Sequence, residues 1–250
     1  MRVAACQILV DGDREAAFAR IESALEQASA QGAELALFPE ACLWGWVNPD
    51  AHDRADPIPG ATTERLGELA RTHGLMLALG LAEREGERLR NSAVLIDRDG
   101  ELLLRHRKLN ILSELMDPPY APGDSAADSW VDTRLGRIGL LICADTFQDE
   151  TVQALAASDP QLVLVPYGWA APAQAWPEHG QSLHDWIAAT ARRVGAPVLG
   201  VDSVGQLTHG PWAGYVLGGQ SALAEADGRL RTPLADREAE VRVIEIELGS

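Results

Sequence analysis

Cysteine is scarce in this 250-residue sequence: there are three, Cys6, Cys42 and Cys143, with no CxxC pair among them. So sparse and odd a set builds neither a disulfide framework nor a zinc knuckle, and a reducing cytoplasm suits it. Long apolar runs are missing as well. No stretch approaches the roughly 18 apolar residues of a membrane span, and the opening run 2–10 meets Asp11 too early for a signal-peptide core. Basic residues are few. Against 37 Asp and Glu stand 21 Lys and Arg, a formal net charge of −16. That balance argues against a nucleic-acid partner, which needs clustered cations for phosphate, and against an anionic membrane surface. It serves solubility rather than marking a cationic substrate. The six histidines show no metal-ligand spacing, so no metal is expected. No Gly/Ser linker, low-complexity run or repeat divides the chain, and a single domain over residues 1–250 is the expectation.

What is present is an alternation of apolar segments. Residues 2–9 read as a buried strand, and 14–31 as a helix with Phe18, Ile21, Ala24, Leu25 and Ala28 on one face, stopped by Gly32. Buried strands are predicted at 33–38, 75–81, 137–143, 162–166 and 197–201, and helices at 63–73, 150–157 and 183–194. Two turn signals, Asp97-Arg98-Asp99-Gly100 and Asp227-Gly228, separate the strand pairs 91–96/102–106 and 219–225/240–247. Strand–helix alternation predicts an α/β fold, and the internal turns make its sheets mixed. Segments 110–130 and 167–182, both proline-bearing, read as long loops where a site can form.

Three of these strands run into a reactive side chain: 35–39 into Glu40, 102–107 into Lys108, and 138–142 into Cys143. Binding clefts in open α/β sheets lie beyond the carboxyl ends of strands, so these groups can converge there. The set suits acyl chemistry. A thiolate attacks a carbonyl or nitrile carbon, a carboxylate moves the proton to the leaving amine, and an ammonium stabilises the oxyanion. The backbone N–H of Ala144 is a second oxyanion donor. Taken singly, each residue has a plainer reading: Cys143 as a small buried hydrophobe, Glu40 as a solvated loop carboxylate, and Lys108 as one charge of the run Arg105-His106-Arg107-Lys108.

The flanking segments decide between these readings. Leu37-Phe38-Pro39-Glu40, Arg107-Lys108-Leu109 and Gly139-Leu140-Leu141-Ile142-Cys143-Ala144-Asp145 resemble the three signature segments of the nitrilase (carbon–nitrogen hydrolase) superfamily, in order. Val3-Ala4-Ala5-Cys6-Gln7, Tyr120-Ala121-Pro122-Gly123-Asp124 and Gly219-Gln220-Ser221 are similar to further family segments, so the resemblance spans about residues 2–247. It implies a four-layer α-β-β-α sandwich with two mixed β-sheets. It also implies Glu40 as general base, Lys108 as oxyanion-stabilising ammonium and Cys143 as nucleophile forming a thioester. Glu114, the glutamate of the loop after the lysine, is the expected second acid that positions substrate or water. Aromatics after the strand ends, Trp44 and Trp46, then Tyr167 and Trp169, are expected pocket walls. No cofactor is implied, and a homodimer or higher homo-oligomer is.

Asp145, where nitrilases typically carry Glu after Trp, favours a small amide as substrate and amidase chemistry releasing ammonia and a carboxylic acid. N-carbamoyl hydrolysis stands second, although Thr146 and Phe147 replace the Arg many relatives carry there. Nitrile hydrolysis comes third and a non-catalytic binding member last. An ω-amidase role on a dicarboxylic acid monoamide requires a cation for the distal carboxylate, and the sequence does not single one out.

Overall fold

The computed structural model describes residues 1–247; the last three residues of the domain expected over 1–250 lie outside the described residues. Strand β1 (Arg2–Gln7), helix α1 (Arg14–Ala30) and strand β2 (Leu35–Leu37) open the chain, followed by helices α2 (Ala51–Arg54) and α3 (Ala61–His73). Strands β3 (Met76–Glu85), β4 (Arg88–Ile96), β5 (Leu102–Arg107), β6 (Trp130–Thr133) and β7 (Gly136–Leu140) come next. Helix α4 (Asp149–Ala156), strands β8 (Leu162–Pro166) and β9 (Ala170–Ala171), helix α5 (Gly180–Val194) and strand β10 (Val198–Val201) follow. The described chain ends with β11 (Val204–Gln206), β12 (Val216–Gly218), β13 (Ala222–Ala224) and β14 (Glu240–Glu245).

Two mixed sheets form the frame. One has the order β14-β1-β2-β3-β4-β5, parallel at β1–β2 and β2–β3; the other runs β13-β10-β8-β7-β6, parallel at β10–β8 and β8–β7. A small antiparallel sheet, β11-β12-β9, was not foreseen. Alternation along each strand assigns the layers. In β1, Val3 and Ala5 point into the core between the sheets, while Ala4 and Cys6 pack with Phe18 and Ile21 of α1 and Leu66 of α3. Leu35 and Leu37 of β2 divide from Ala36 in the same way. The far side of the second sheet is covered by Val152 and Leu155 of α4 and Leu183 and Ile187 of α5. With both faces of each sheet buried, central strands read as continuous apolar runs, and the order is α-β-β-α as the resemblance implied.

The structure departs from the sequence reading in instructive places. Strands β3 and β4 run on to Glu85 and begin at Arg88, well past the apolar segments 75–81 and 91–96. Charged residues fit there because they pair across strands: buried Glu83 takes Arg105, Arg107 and Ser92, and Glu85 takes Arg90. The strand predicted over 219–225 is interrupted, since Gly219 and Gln220 adopt φ of 68° and 55°. The strand predicted over 137–143 stops at Leu140, three residues before the cysteine.

Gly80 of β3 positions the turn that follows β2. A Cβ at Gly80 would lie 2.5 Å from the Glu40 Cα and 2.8 Å from the Ala41 nitrogen, both rigid backbone atoms. Hydrogen bonds from Gly80 N–H to the Pro39 carbonyl (2.9 Å) and from Cys42 N–H to the Gly80 carbonyl (3.0 Å) seal that approach. Gly80→Ala is therefore expected to push the Glu40 turn outward. Overpacking of this kind costs about 1–3 kcal/mol of stability, and misplacing the general base that the resemblance implies by about 1 Å costs about 100-fold in rate. Thermal denaturation alongside turnover should show a modest loss of Tm with a disproportionate loss of kcat.

Candidate active site

Glu40, Lys108 and Cys143 leave three different strand ends and meet in the interior, each at most 2% exposed. Glu40 Oε1 accepts from Lys108 Nζ at 2.6 Å and from Asn91 Nδ2 at 2.6 Å. Oε2 has no hydrogen-bond partner among the described residues, although it is buried. It faces Gly168, where a Cβ would come within 3.3 Å of it. An unsatisfied buried acceptor costs about 1–3 kcal/mol; here the orphan is a carboxylate oxygen.

Lys108 is the sole lysine of the sequence, among 20 arginines. Its backbone is fixed on both sides, donating to the Asn91 carbonyl and accepting from Gly123 N–H, each at 2.8 Å. Gly123 lies so close that a Cβ there would meet the Arg107 carbonyl oxygen at 2.3 Å, which explains the glycine of the Tyr120–Asp124 segment. Burial works against the ammonium, but the charge and hydrogen bond of Glu40 oppose it, and the Lys108 pKa lies above its ordinary value.

Cys143 opens a 3-10 turn (Cys143–Phe147) after a two-residue gap from the end of β7 and adopts φ of 40°, a left-handed conformation unusual for a non-glycine residue. Such strain costs about 1–3 kcal/mol and persists only where neighbours over-determine it. Those neighbours are specific. Thr146 Oγ1 donates to the Cys143 carbonyl at 2.8 Å, and the carboxylate of Asp145 accepts from Ile142 N–H at 3.1 Å. Burial pushes the Cys143 thiol well above its ordinary pKa; Lys108 opposes that rise and Glu40 adds to it, while Gly168 N–H hydrogen-bonds the sulfur. Ala144 occupies the second position of the turn, where N–H groups lack an intrahelical partner. No hydrogen bond of its N–H occurs among the described residues, while its carbonyl accepts from Asn110 Nδ2 at 2.9 Å.

Asp145 and Asp202 position the parts. Asp145 is fully buried and receives Leu109 N–H (2.8 Å) and Asn110 N–H (3.0 Å) on one oxygen, and His106 Nε2 (2.8 Å) and Ile142 N–H on the other. It thereby joins the segment after Lys108 to the turn carrying Cys143. Asp202, just past β10, accepts from Trp169 N–H (2.8 Å) and Gly219 N–H (3.0 Å), and burial drives its pKa upward. It holds the loop that presents Gly168 to the sulfur.

A cavity of about 160 Å³ opens onto Cys143. Trp46, Leu112 and Trp212 line it on one side, Phe147, Trp169 and His179 on the other. A second space, about 10 Å³, lies behind it against Lys108, Asn91 and Tyr120. Asn91 Oδ1 and the Tyr120 hydroxyl, like Glu40 Oε2, are buried without partners, so unpaired polar atoms collect around the Glu40–Lys108 pair. Two larger clefts elsewhere, near Asp132 and Arg137 and near Arg20, contain no such set; their arginines are already paired with Asp132 and Asp11.

Of the expected pocket walls, Trp169 lines the cavity, but Tyr167 and Trp44 do not. Tyr167 is fully buried beneath it, edge-on to Trp169 at 6.0 Å, with its hydroxyl 3.3 Å from Thr146 Oγ1; its carbonyl receives Glu40 N–H. Trp44 lies between the guanidinium groups of Arg14 and Arg54, 5.9 and 5.8 Å from its ring, and Trp46 faces the site instead. Glu114 sits exposed on the 3-10 turn Ser113–Leu115 and lines neither cavity. That turn buries Leu115 and so directs the preceding carboxylate outward; among the described residues no hydrogen bond or ion pair joins Glu114 to the cluster. Asn91, Gly168, Phe147, His179 and Trp212 were not singled out in the sequence. An asparagine opening the apolar segment 91–96, directly after Arg90, was the available signal for Asn91.

The chain matches the carbon-nitrogen hydrolase family over residues 2–250. The omega-amidase of Bos taurus is 31% identical over 176 residues, 66% of this chain and 62% of that protein, so the match spans under two thirds of that relative's length. A nitrilase of Pyrococcus abyssi is 27% identical over 236 residues, 92% of this chain and 83% of that protein. Among solved structures, an amidase of Nesterenkonia AN1 from the nitrilase superfamily superposes with a TM-score of 0.83 at 27% identity, covering 98% of this chain and 90% of that one. Another structure of that amidase, at 26% identity and the same TM-score, covers 99% of this chain and 93% of that one; it carries acrylamide joined by Michael addition at the active-site cysteine. Among the described residues, no helix is long and apolar enough to cross a membrane. Motif order, two-sheet architecture and the family match over nearly every residue agree, and the chain belongs to the carbon–nitrogen hydrolase family of the nitrilase superfamily.

Proposed function

We propose that this chain hydrolyses the carbon–nitrogen bond of a small amide through a thioester on Cys143, releasing ammonia and a carboxylic acid. The observation that carries the reading is the buried Glu40–Lys108 pair at 2.6 Å, with one glutamate oxygen unpaired, beside a cysteine strained at the head of a helical turn. The active-site cysteine of the Nesterenkonia amidase is in keeping with it.

The chemistry follows from the groups present. Because burial keeps Cys143 protonated, Glu40 Oε2 removes the thiol proton as sulfur attacks the amide carbon. The carbonyl electron pair moves onto oxygen, where Lys108 Nζ and Ala144 N–H stabilise it. The tetrahedral adduct collapses, Glu40 passes the proton to nitrogen, and ammonia leaves a thioester. Water then attacks the acyl carbon as Glu40 takes its proton. Carbon–sulfur cleavage returns that proton to Cys143 and frees the acid.

Ammonia release from a panel of small amides tests the proposal. Cys143→Ala should abolish it while retaining amide binding; wild-type turnover of none of the panel would overturn it. Lys108→Met should lose about 100- to 1000-fold in kcat, the usual cost of removing an oxyanion donor. Lys108→Arg should rescue little, because a planar guanidinium does not replace a compact ammonium in a dry site.

The pH behaviour is also specified. The folded-state pKa of Cys143 lies above the ordinary thiol range, so the thiolate is absent at neutral pH and forms only as pH rises past that range. Thiolate ultraviolet absorbance, taken as wild type minus Cys143→Ala, should therefore be absent at neutral pH and emerge only above about pH 8.5, the free-thiol value. A thiolate already present at neutral pH would contradict the general-base sequence.

Asp145→Asn removes the charge and replaces one of the two acceptor oxygens with an NH2 group, leaving two of the four donors facing another donor. It is expected to destabilise by roughly 3–5 kcal/mol, as when one partner of a buried charged network is removed. Denaturant unfolding would measure that loss, and kcat should fall more than KM rises.

A further inference from the structure

We infer that the substrate of this site is an amide whose acyl group is uncharged and apolar, about the size of a benzene ring or a branched five-carbon chain. This rests on the amide-hydrolase reading and deepens it.

The cavity at Cys143 is walled by Trp46, Trp169, Trp212, Phe147 and Leu112, with His179 at its side. The rings brace one another. Phe147 meets Trp169 edge-on at 5.8 Å, His179 stacks on Trp169 at 5.8 Å, and Trp46 meets Trp212 at 5.9 Å. The Trp169 indole N–H is turned away to Ser182 Oγ, 3.2 Å distant. Trp169 therefore presents ring carbon to the cavity, and with Phe147 and Leu112 beside it the wall suits an apolar guest. The volume of about 160 Å³ is close to the roughly 150 Å³ at which a dry apolar cavity takes benzene.

No lysine or arginine lines the cavity. Lys108 is held by Glu40 at 2.6 Å and is needed for the reacting oxygen. Arg193, the arginine nearest along α5 to the Phe147 wall, donates to the Thr146 carbonyl at 2.9 Å and to Asp149 at 2.5 Å. Arg107, at the end of β5, is taken up by Glu83 and Glu85. His179 has its pKa lowered by burial and supplies no cation at neutral pH. A distal carboxylate entering here would shed its water and meet no cation among the described residues, only aromatic and aliphatic walls and the neutral His179 ring, so neutral amides are favoured over monoamides of dicarboxylic acids.

The test is the ratio of kcat/KM for 4-methylpentanamide and succinamate, which match in shape but differ in charge. The neutral amide is expected to lead by roughly 100-fold or more, given the cost of stripping water from an unpaired carboxylate. Benzamide should also be accepted. Leu112→Arg should narrow the ratio by weakening the neutral amide and admitting the anion. Equal or better turnover of succinamate by wild type would overturn the inference while leaving amide hydrolysis intact. A readout that needs no turnover separates the two claims: quenching of tryptophan fluorescence in Cys143→Ala by each amide. If wild type hydrolyses neither but this variant binds 4-methylpentanamide more tightly, the hydrolase reading falls and the ligand class stands. Tighter succinamate binding, or binding of neither, removes the ligand class.

Discussion

A carboxylate without solvent contact ties the two sheets together at the point where chemistry is proposed. Asp145 belongs to the turn after β7, in one sheet, yet half of its hydrogen bonds go to the backbone after β5, in the other. Apolar packing between sheets fixes their separation only loosely, because leucine and valine side chains slide at little cost. Four directed hydrogen bonds on one buried group do not slide. Lys108 and Cys143 thus inherit their relative position from Asp145 rather than from the core. Asp202, after β10, repeats the device, fastening the loop after β8 to the turn between β12 and β13.

The strand ends were legible in the sequence because sheets buried on both faces produce long apolar runs, and a Glu, Lys or Cys terminating such a run stands out. What escaped was whatever depends on side-chain direction. Trp44 and Trp46 are two residues apart in one loop, and composition cannot say which faces the site; the positive φ at Ala41 and Val47 that orients the loop is invisible in the letters. Tyr167 was expected at the wall and lies under it. Glu114 fits a motif position but shares a turn with Leu115, whose burial decides the turn's orientation. The extended ends of β3 and β4 were missed because charged residues look like loop until their partners across the strands are known. Asp145 itself was legible as a mark of amide chemistry, not as a clamp.

Charge is sorted by depth. Apart from the groups at the site, Glu83 and the buried Arg90, acids and arginines pair near the surface, as in Arg20–Asp11 and Arg137–Asp132. Among the described residues, Glu40, Lys108, Asp145 and Asp202 are buried together in the region that joins the strand ends. Surface pairs of this kind add little to stability, so the acidic balance of the chain is free to serve solubility while the buried groups set reactivity.

The sequence spends its one ε-ammonium in that interior, 2% exposed, and meets every other need for positive charge with arginine. Acylating reagents aimed at lysine consequently find no ε-amine on the native surface. Reaction at Lys108 requires the Glu40 turn and the Tyr120–Asp124 segment to part, so its rate measures the free energy of opening this one region rather than of unfolding the whole. The protein thus carries an internal clock for the breathing of its candidate active site.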